Sequence, residues 1–194
     1  MDEVLYKYRS LDNFRHFVDI IFRRRLYAAK YKDLNDPMEG QYYYSGGKIN
    51  IEVRRKLRDK KAGLRLCSLS RDKDNYLMWS HYANGHRGVV IGVRITDTSY
   101  IIEPIKYSGI ESIIDPNVIG QTALEILSHK LQVWNYEKEV RVFTRNECYV
   151  NIEVVEVIAG VSMDITDFNF IRDLIEKIDS KIKVRKAESK MKNL

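Results

Sequence analysis

Apolar residues recur every three or four positions in several stretches of the chain, which is typical of helices buried along one face. The pattern predicts helices after Ser10 or Asp12, near Ile51–Lys61, at Asp74–Gly85, over Asn117–Trp134 and after an Asp164 cap. Other stretches alternate or run continuously apolar, as strands do. These predict strands at Val4–Arg9, Leu26–Tyr31, Leu64–Ser70, Gly88–Ile95, Tyr100–Tyr107, Glu137–Phe143, Ile152–Val161 and Ile182–Ala187.

The predicted helices and strands mix without regular βαβ alternation, and several strands adjoin in sequence. This favours an α+β fold with a mixed, largely antiparallel sheet flanked by helices. No linker interrupts the pattern. The sequence therefore predicts one domain over residues 1–187, followed by a flexible basic C-terminal tail over residues 188–194.

The composition is that of a globular protein: 194 residues, 44% hydrophobic and 31% charged. The sequence contains no apolar run of membrane-spanning length and no basic-then-apolar N-terminal signal. Cys67 and Cys148 lie far apart and outside metal-type spacings, so two reduced thiols are expected. We therefore expect a cytoplasmic protein with no membrane partner and no metal.

The net charge of +6 is concentrated in a few places. Residues 181–194 carry six basic residues against Glu188, and two further clusters lie at Arg23–Arg25 and Arg54–Lys61. Such clusters bind nucleic acid or anionic surfaces, but they also occur as solvated helix faces and frayed termini. Both interpretations stay open at this stage.

Three predicted strands carry polar side chains in sets that share a face. The sets are Lys7 with Arg9, Ser68 with Ser70, and Glu137 with Glu139 and Arg141. An arginine fork binds phosphate, hydroxyls position a ribose, and a carboxylate stabilises positive charge on an anomeric carbon. A second carboxylate can activate a nucleophile. Solvated strand faces and ion pairs are the alternative interpretation.

Aromatic and imidazole side chains form a further group in the predicted helix Asp74–Gly85 and after it. Trp79 and Tyr82 are spaced to share a helix face, where they either stack on a planar ligand or belong to the core. His81 and His86 are candidates for phosphate binding, base catalysis or a structural role.

The segment Asp33–Gly40 is predicted to be a loop, because it combines asparagine, aspartate, proline and glycine. Its polar residues Asn35, Asp36 and Glu39 are candidates to shape a substrate loop. The turn chemistry of the segment explains the same residues without any substrate.

Several motifs resemble a widespread bacterial family that is catalogued as domain of unknown function 2971. They are YKYR, LNDPMEG, CSLS, LMWSHYANGHRGVVIGV and K-x3-W-x-YEKEVR, and they run from Tyr6 to Arg141. The resemblance to this family implies no particular activity.

The order Arg, Ser-x-Ser, Glu-x-Glu on separate strands is similar to the arginine–serine–glutamate class of ADP-ribosyltransferases. That class cleaves NAD at the nicotinamide bond and transfers ADP-ribose. The resemblance implies an ADP-ribosyltransferase-like fold, with NAD as co-substrate and a nucleic-acid or protein acceptor. The middle position of the expected serine–threonine–serine is Leu69 here, and Arg141 is not part of that pattern.

The same resemblance implies a role for each matching residue. Arg9 would hold a phosphate or ribose of NAD, and Ser68, supported by Ser70, would order the nicotinamide ribose. Glu139 would be the catalytic glutamate, and Glu137 would orient or activate the acceptor. Trp79, Tyr82 and His81 would contribute to NAD binding. Arg141 either belongs to the acceptor site or pairs with Glu139 and makes it structural.

Two functions from other classes compete with this expectation. One is a nucleic-acid-binding or nucleic-acid-processing module, for example in phage defence, which the basic helix, the basic tail and the many tyrosines favour. The other is a non-enzymatic interaction protein with a degenerate site.

Overall fold

The computed structural model describes residues 3–36, 38–44, 49–109, 111–113 and 119–188. The strands in these ranges are β1 (Leu5–Arg9), β2 (Arg25–Tyr27), β3 (Ala29–Lys30), β4 (Tyr42–Tyr44), β5 (Leu64–Ser70), β6 (Val89–Ile95), β7 (Ile101–Pro104), β8 (Glu111–Ile113), β9 (Glu139–Arg145), β10 (Tyr149–Ala159) and β11 (Lys183–Lys186). The helices are α1 (Phe14–Arg23), α2 (Ile51–Ala62), α3 (Tyr76–Tyr82), α4 (Ile119–Ile126) and α5 (Ile165–Ile178). Short 3₁₀ helices lie at Tyr31–Asp33 and Gln132–Glu137.

The fold is mixed α+β, and most strand pairs are antiparallel, as the sequence predicted. The chain forms two compact units. The first unit contains Met1–Leu26, Leu69–Thr98 and Asn151–Leu194, and the second contains Tyr27–Ser68 and Ser99–Val150. The single domain over 1–187 stays a prediction, and of the tail over 188–194 only Glu188 lies within the described residues. No helix in the described part of the chain is long and apolar enough to cross a bilayer.

The first unit is organised around β6, whose valines and isoleucines at 89–91, 93 and 95 are buried. Strands β1 and β10 pair with β6 on its two edges, both antiparallel. Strand β11 adds to β10 in parallel, as the edge strand predicted near Ile182–Ala187. Helix α5 begins at the predicted Asp164 cap, whose carboxylate accepts the backbone N–H of Thr166.

Two glycines of the first unit lie where backbone segments nearly touch. A Cβ on Gly160 would lie 2.0 Å from the carbonyl oxygen of His86, and one on Gly88 would lie 2.3 Å from that of Arg9. The Gly160 N–H also donates to the Gly88 carbonyl at 2.9 Å. These contacts fix the loop that contains His86, so they require residues without side chains.

The second unit packs its helices and strands over two apolar clusters. Helix α2 lies against α4 through Leu57, Ala123 and Ile126. The other cluster contains Leu66 of β5, Leu127 and Phe143 of β9. Strand β5 lies between β3 and β9, and β7 pairs with the far edge of β9. This arrangement presents the first residues of β9 to the segment that follows α4.

The predicted long helix over Asn117–Trp134 is wrong, although its first two residues lie outside the described ones. Helix α4 ends at Ile126, and after a turn at residues 127–128 the chain pairs with residues 106–109. Lys106 N–H donates to Ser128, and Lys130 N–H donates back to Lys106. These tertiary hydrogen bonds replace the helical ones, and they override the helical spacing of the apolar residues.

The predicted strand over Glu137–Phe143 begins two residues late, because Glu137 ends a 3₁₀ helix. Lys138 has a left-handed backbone (φ 44°), which interrupts the extended chain before Glu139. Glu137 is therefore not on the strand face that Glu139 and Arg141 share.

Two smaller predictions also fail. The N-cap of α1 is Asn13, without a side-chain cap, since Ser10 and Asp12 hydrogen-bond to each other instead. The single strand over Leu26–Tyr31 is divided into β2 and β3. The contact between Ser10 and Asp12 explains the first difference.

We predict that Gly160→Ala destabilises the protein by about 3 kcal/mol or more, because the added methyl group meets backbone that cannot rotate away. Gly63→Ala is the matched control: Gly63 has an α-helical backbone, and its Cβ would lie 3.6 Å from the nearest carbonyl oxygens. Urea unfolding of both variants measures the difference. Equal stability of the two variants would contradict the close contact.

Candidate active site

The centre of the second unit is the guanidinium of Arg141, whose side chain is 0% exposed. Its Nε donates to Glu139 Oε1 at 2.7 Å, and its Nη1 donates to the Leu127 carbonyl at 2.6 Å. Its Nη2 donates to Glu39 and, at 3.3 Å, to Glu139 Oε2. The guanidinium thus joins β9, the end of α4 and the Asp33–Gly40 segment.

A second cation, Lys130, lies beside the same carboxylates. Its ammonium is 2.5 Å from Glu137 Oε2, 3.1 Å from Glu139 Oε2 and 3.5 Å from Glu39 Oε1. The ring of Trp134 covers it, with 5.0 Å between Nζ and the ring centroid. Lys130, Arg141 and the three glutamates form what we call the charge network. All five residues are buried.

The local chain path explains how the carboxylates converge. The left-handed Lys138 turns the chain between Glu137 and Glu139, and the backbone N–H of Glu139 donates to Tyr107 Oη at 2.7 Å. Glu139 and Arg141, at alternate positions of β9, then share a strand face. The position of the network carboxylates therefore depends on the turn at Lys138 and on the alternation of side chains along β9.

The environment drives the pKa values of two network glutamates apart. Burial alone would raise the pKa of Glu139, but the charges of Arg141 and Lys130 and hydrogen bonds from Arg141 and Ser68 lower it to about 2. For Glu39, burial and the nearby Glu139 charge outweigh Arg141 and Lys130 and raise the pKa. Such separation of two neighbouring carboxyl groups is a feature of acid–base sites.

The signs of these shifts fix how each group affects stability. The lowered pKa of Glu139 means that its ion pairs stabilise the fold above the ordinary carboxyl range, and that this stabilisation is lost as the pH falls through about 2. The raised pKa of Glu39 has the opposite sign, so its contribution declines as the pH rises through the raised value.

The charges of the network also shift the pKa values of Tyr107, Lys130 and Arg141. Burial raises the pKa of Tyr107 to about 12, and the carboxylates of Glu139 and Glu137 add to the shift. Burial alone would lower the pKa values of Lys130 and Arg141, but the surrounding carboxylates raise both. Both cations are therefore charged.

A small pocket of ≈ 10 Å³ meets the network at Glu39 and Lys130. This volume admits one water-sized group. Asp36 and Met38 lie on its wall, which is completed by Gln41, Gly109, His129 and Leu131. Within the described residues, the buried Oδ2 of Asp36 has no hydrogen-bond partner, while its Oδ1 accepts the Met38 N–H. Of the network carboxylates, that of Glu39 lines the pocket.

Several predicted site residues meet in the second unit. Glu137, Glu139, Arg141 and Glu39 belong to the charge network, and the Ser68 hydroxyl hydrogen-bonds to Glu139. Asp36 lies on the pocket wall. Asn35 precedes it in the same loop, is exposed, and is not one of the residues that form the wall.

The other predicted residues belong to the first unit. Arg9, at the end of β1, has its Nη2 3.2 Å from His16 Nδ1. Ser70 is buried in a turn, where its hydroxyl donates to the Asp72 carbonyl and accepts the Asp72 N–H. Lys7, like Arg9, lies on β1.

The aromatic residues of the first unit include a core position. Trp79 is buried against Tyr8, with ring centroids 5.5 Å apart, and its Nε1 donates to the Lys73 carbonyl. His86 stacks on Trp79 at 6.0 Å, and burial lowers its pKa. His81 and Tyr82 contact each other edge to face at the end of α3.

Sequence reasoning missed two members of this site. Lys130 falls within the predicted helix over Asn117–Trp134, and Tyr107 ends the predicted strand Tyr100–Tyr107; neither is among the candidates from the sequence. The available signal for Lys130 was its place in the K-x3-W-x-YEKEVR motif, where Lys130, Trp134, Glu137, Glu139 and Arg141 all prove to be neighbours.

Comparison with known proteins adds no relative: no family model, no curated protein and no solved structure matches the chain. The resemblances drawn from the motifs therefore stay predictions.

We predict that Arg141→Met destabilises the protein by about 3–5 kcal/mol, because it leaves Glu139 and Glu39 buried beside one cation. The double variant Glu139→Gln/Arg141→Met should lose less stability than Arg141→Met alone, because it also removes one of the two carboxylates left without Arg141. Denaturant unfolding of both single variants and the double variant measures the coupling, with about 0.5–3 kcal/mol expected. Arg71→Met is the control, because the Arg71–Glu3 pair is 47% and 49% exposed and should contribute about 1 kcal/mol or less. Additive single-variant effects would contradict the network.

Proposed function

We propose that this chain cleaves the N-glycosidic bond of a nucleotide such as NAD and transfers the ADP-ribosyl group to an acceptor. The observation that carries the proposal is the buried carboxylate of Glu139, kept ionised by Lys130 and Arg141 and hydrogen-bonded by Ser68. A fixed anion in a site closed to water is suited to stabilising an oxocarbenium-like sugar.

The cost of the network supports a functional role. Apolar side chains of similar volume often stabilise a core as well as a buried ion pair or better, because they avoid the desolvation of charge. Five buried charged side chains are therefore unusual as scaffold. The displaced pKa values of Glu39, Lys130, Glu139 and Arg141 add to this, because such groups concentrate at functional sites.

In the proposed reaction the bond between C1′ of the ribose and the nicotinamide nitrogen breaks. Its electron pair leaves with nicotinamide, which becomes neutral, and positive charge develops on C1′ and the ring oxygen. Glu139 stabilises that charge, and an acceptor hydroxyl or amine then forms a bond to C1′. The acceptor's proton passes to a carboxylate.

We assign that proton to Glu39. It lines the pocket, it lies within reach of Lys130, and its pKa is raised. The sequence-based prediction gave the role to Glu137, whose carboxylate is bound to Lys130 at 2.5 Å. Arg141 and Lys130 act in this scheme as positioning residues, since they hold Glu139 in place and in its ionised form.

The pocket sets a condition on substrate entry. Its ≈ 10 Å³ admits one water-sized group, so a ribose must displace the side chains at its rim. Met38 and Gln41 are exposed there and free to move by rotamer changes. For Arg9, Ser70, Trp79, Tyr82 and His81, a role in binding NAD stays a prediction from the sequence.

We predict that the purified protein releases nicotinamide from NAD, and that Glu139→Gln lowers the rate at least about 100-fold, because the amide cannot stabilise positive charge. Glu147→Gln is the matched control, since Glu147 is an exposed carboxylate of the same unit. Chromatography of released nicotinamide and transfer of adenine-labelled NAD to bacterial protein and nucleic-acid extracts measure the two halves of the reaction.

Thermal unfolding of both variants separates loss of chemistry from loss of fold. If the native protein neither binds NAD nor releases nicotinamide, or if a folded Glu139→Gln matches the native rate, the proposal fails. The network is then structural.

A further inference from the structure

Helix α2 carries a dense and unusually uncompensated set of positive charges in the second unit. Its exposed cations are Arg54, Arg55, Lys56, Arg58 and Lys60, against the two acidic residues Glu52 and Asp59. Among the described residues, one of these cations has an ion-pair partner: Arg58 lies 3.4 Å from Asp59, with both side chains more than 60% exposed. Such an exposed pair neutralises little of the field.

The spacing of these cations works against the helix itself. Arg54 and Arg58 are four residues apart, as are Lys56 and Lys60, so each pair places like charges side by side on one flank. Like-charge pairs at this spacing destabilise a helix. The opposite charges of Glu52 and Lys56, and of Arg55 and Asp59, have the same spacing and offset part of this repulsion. An anionic partner that lies along the helix would remove the repulsion.

The buried face of α2 has a different role. Leu57 packs on α4, and the ammonium of Lys61 donates to the Gly40 carbonyl at 2.7 Å between the rings of Tyr31 and Tyr42. The apolar face is thus covered within the unit. A helix that inserts into a lipid surface needs that face exposed, so the arrangement disfavours a membrane as the partner.

We propose that the exposed face of α2 binds the phosphate backbone of a single-stranded nucleic acid. The cations supply the phosphate contacts, since four-residue spacing places them about 5–6 Å apart along each flank. The same unit also exposes an aromatic ring: Tyr43, which follows Tyr42 on β4, is 64% exposed. Exposed rings stack on unpaired bases.

This surface is tied to the charge network through one hydrogen bond. The carbonyl that accepts from Lys61 belongs to Gly40, which follows Glu39 in the chain. A nucleic-acid strand bound on α2 therefore lies on the helix that supports the Asp33–Gly40 segment, which lines the pocket. The proposal of nucleic-acid binding does not depend on the proposed NAD chemistry and is tested separately from it.

Fluorescence anisotropy of a labelled single-stranded RNA of about 20 nucleotides tests the proposal. The variant is Arg54→Gln/Lys56→Gln/Arg58→Gln/Lys60→Gln. The matched control removes four exposed cations of the first unit that lie outside the basic clusters: Arg15, Arg87, Arg172 and Lys177, each also replaced by glutamine. Titrations from about 50 to about 200 mM salt give the slope of log K against log salt.

We expect the native protein to bind with a steep salt dependence. The α2 variant should bind at least about tenfold more weakly, with a slope shallower by about 3, because each phosphate contact contributes about 0.7 for single strands. The control should stay within about threefold of native.

Three results would overturn the proposal: no RNA binding by the native protein at the lowest salt, equal losses in variant and control, or binding to anionic phosphatidylserine vesicles without binding to RNA. Thermal melting of each variant checks that it is folded. If the fourfold α2 variant melts earlier than the native protein, the pairwise variant Arg54→Gln/Arg58→Gln is used in its place. That pair should still reduce the slope by more than one unit.

Discussion

The second unit depends on one fully buried guanidinium. Arg141 donates to Glu139, Glu39 and the Leu127 carbonyl, so one side chain ties a strand, a loop and the end of a helix together. A buried cation is tolerated only where acceptors surround it. That requirement brings Glu39 inward from its loop, and the repulsion between the resulting carboxylates draws in Lys130. The pocket, the separated pKa values and the proposed chemistry all follow from the same constraint.

The network also connects the two proposed activities. Lys61 at the last turn of α2 bonds to Gly40, next to Glu39. Glu39 reaches Arg141, and Arg141 holds Glu139. A basic helix that binds a nucleic-acid strand would therefore support the loop whose Glu39 takes up the acceptor's proton. Nucleic acid would then be a natural acceptor of ADP-ribose, although each activity has its own test.

The sequence predicted what local spacing controls. The α+β class, the buried strand β6, the Asp164 cap and helix α2 all follow from periodicity and capping. It failed where tertiary contacts override spacing: residues 127–131 leave the helical pattern to pair with residues 106–109, and Lys138 takes a left-handed turn. Lys130 lies in the part of the chain that the spacing wrongly predicts to be helical. The periodicity of the apolar residues therefore could not predict that Lys130 lies beside Glu137 and Glu139. The pairing of Arg141 with Glu39, 102 residues apart, has no local signal at all.

The most direct test of this account is a carboxyl ¹³C NMR titration of glutamate-labelled protein, with Glu139→Gln and Glu39→Gln used to assign the two resonances. The account predicts that Glu139 stays ionised down to about pH 3, since two cations and Ser68 hold its pKa near 2. It predicts that Glu39 titrates above its ordinary value of 4.5. If Glu139 instead titrates at or above 4.5, the buried cations do not control it, and the network cannot supply the fixed anion that the proposed reaction requires.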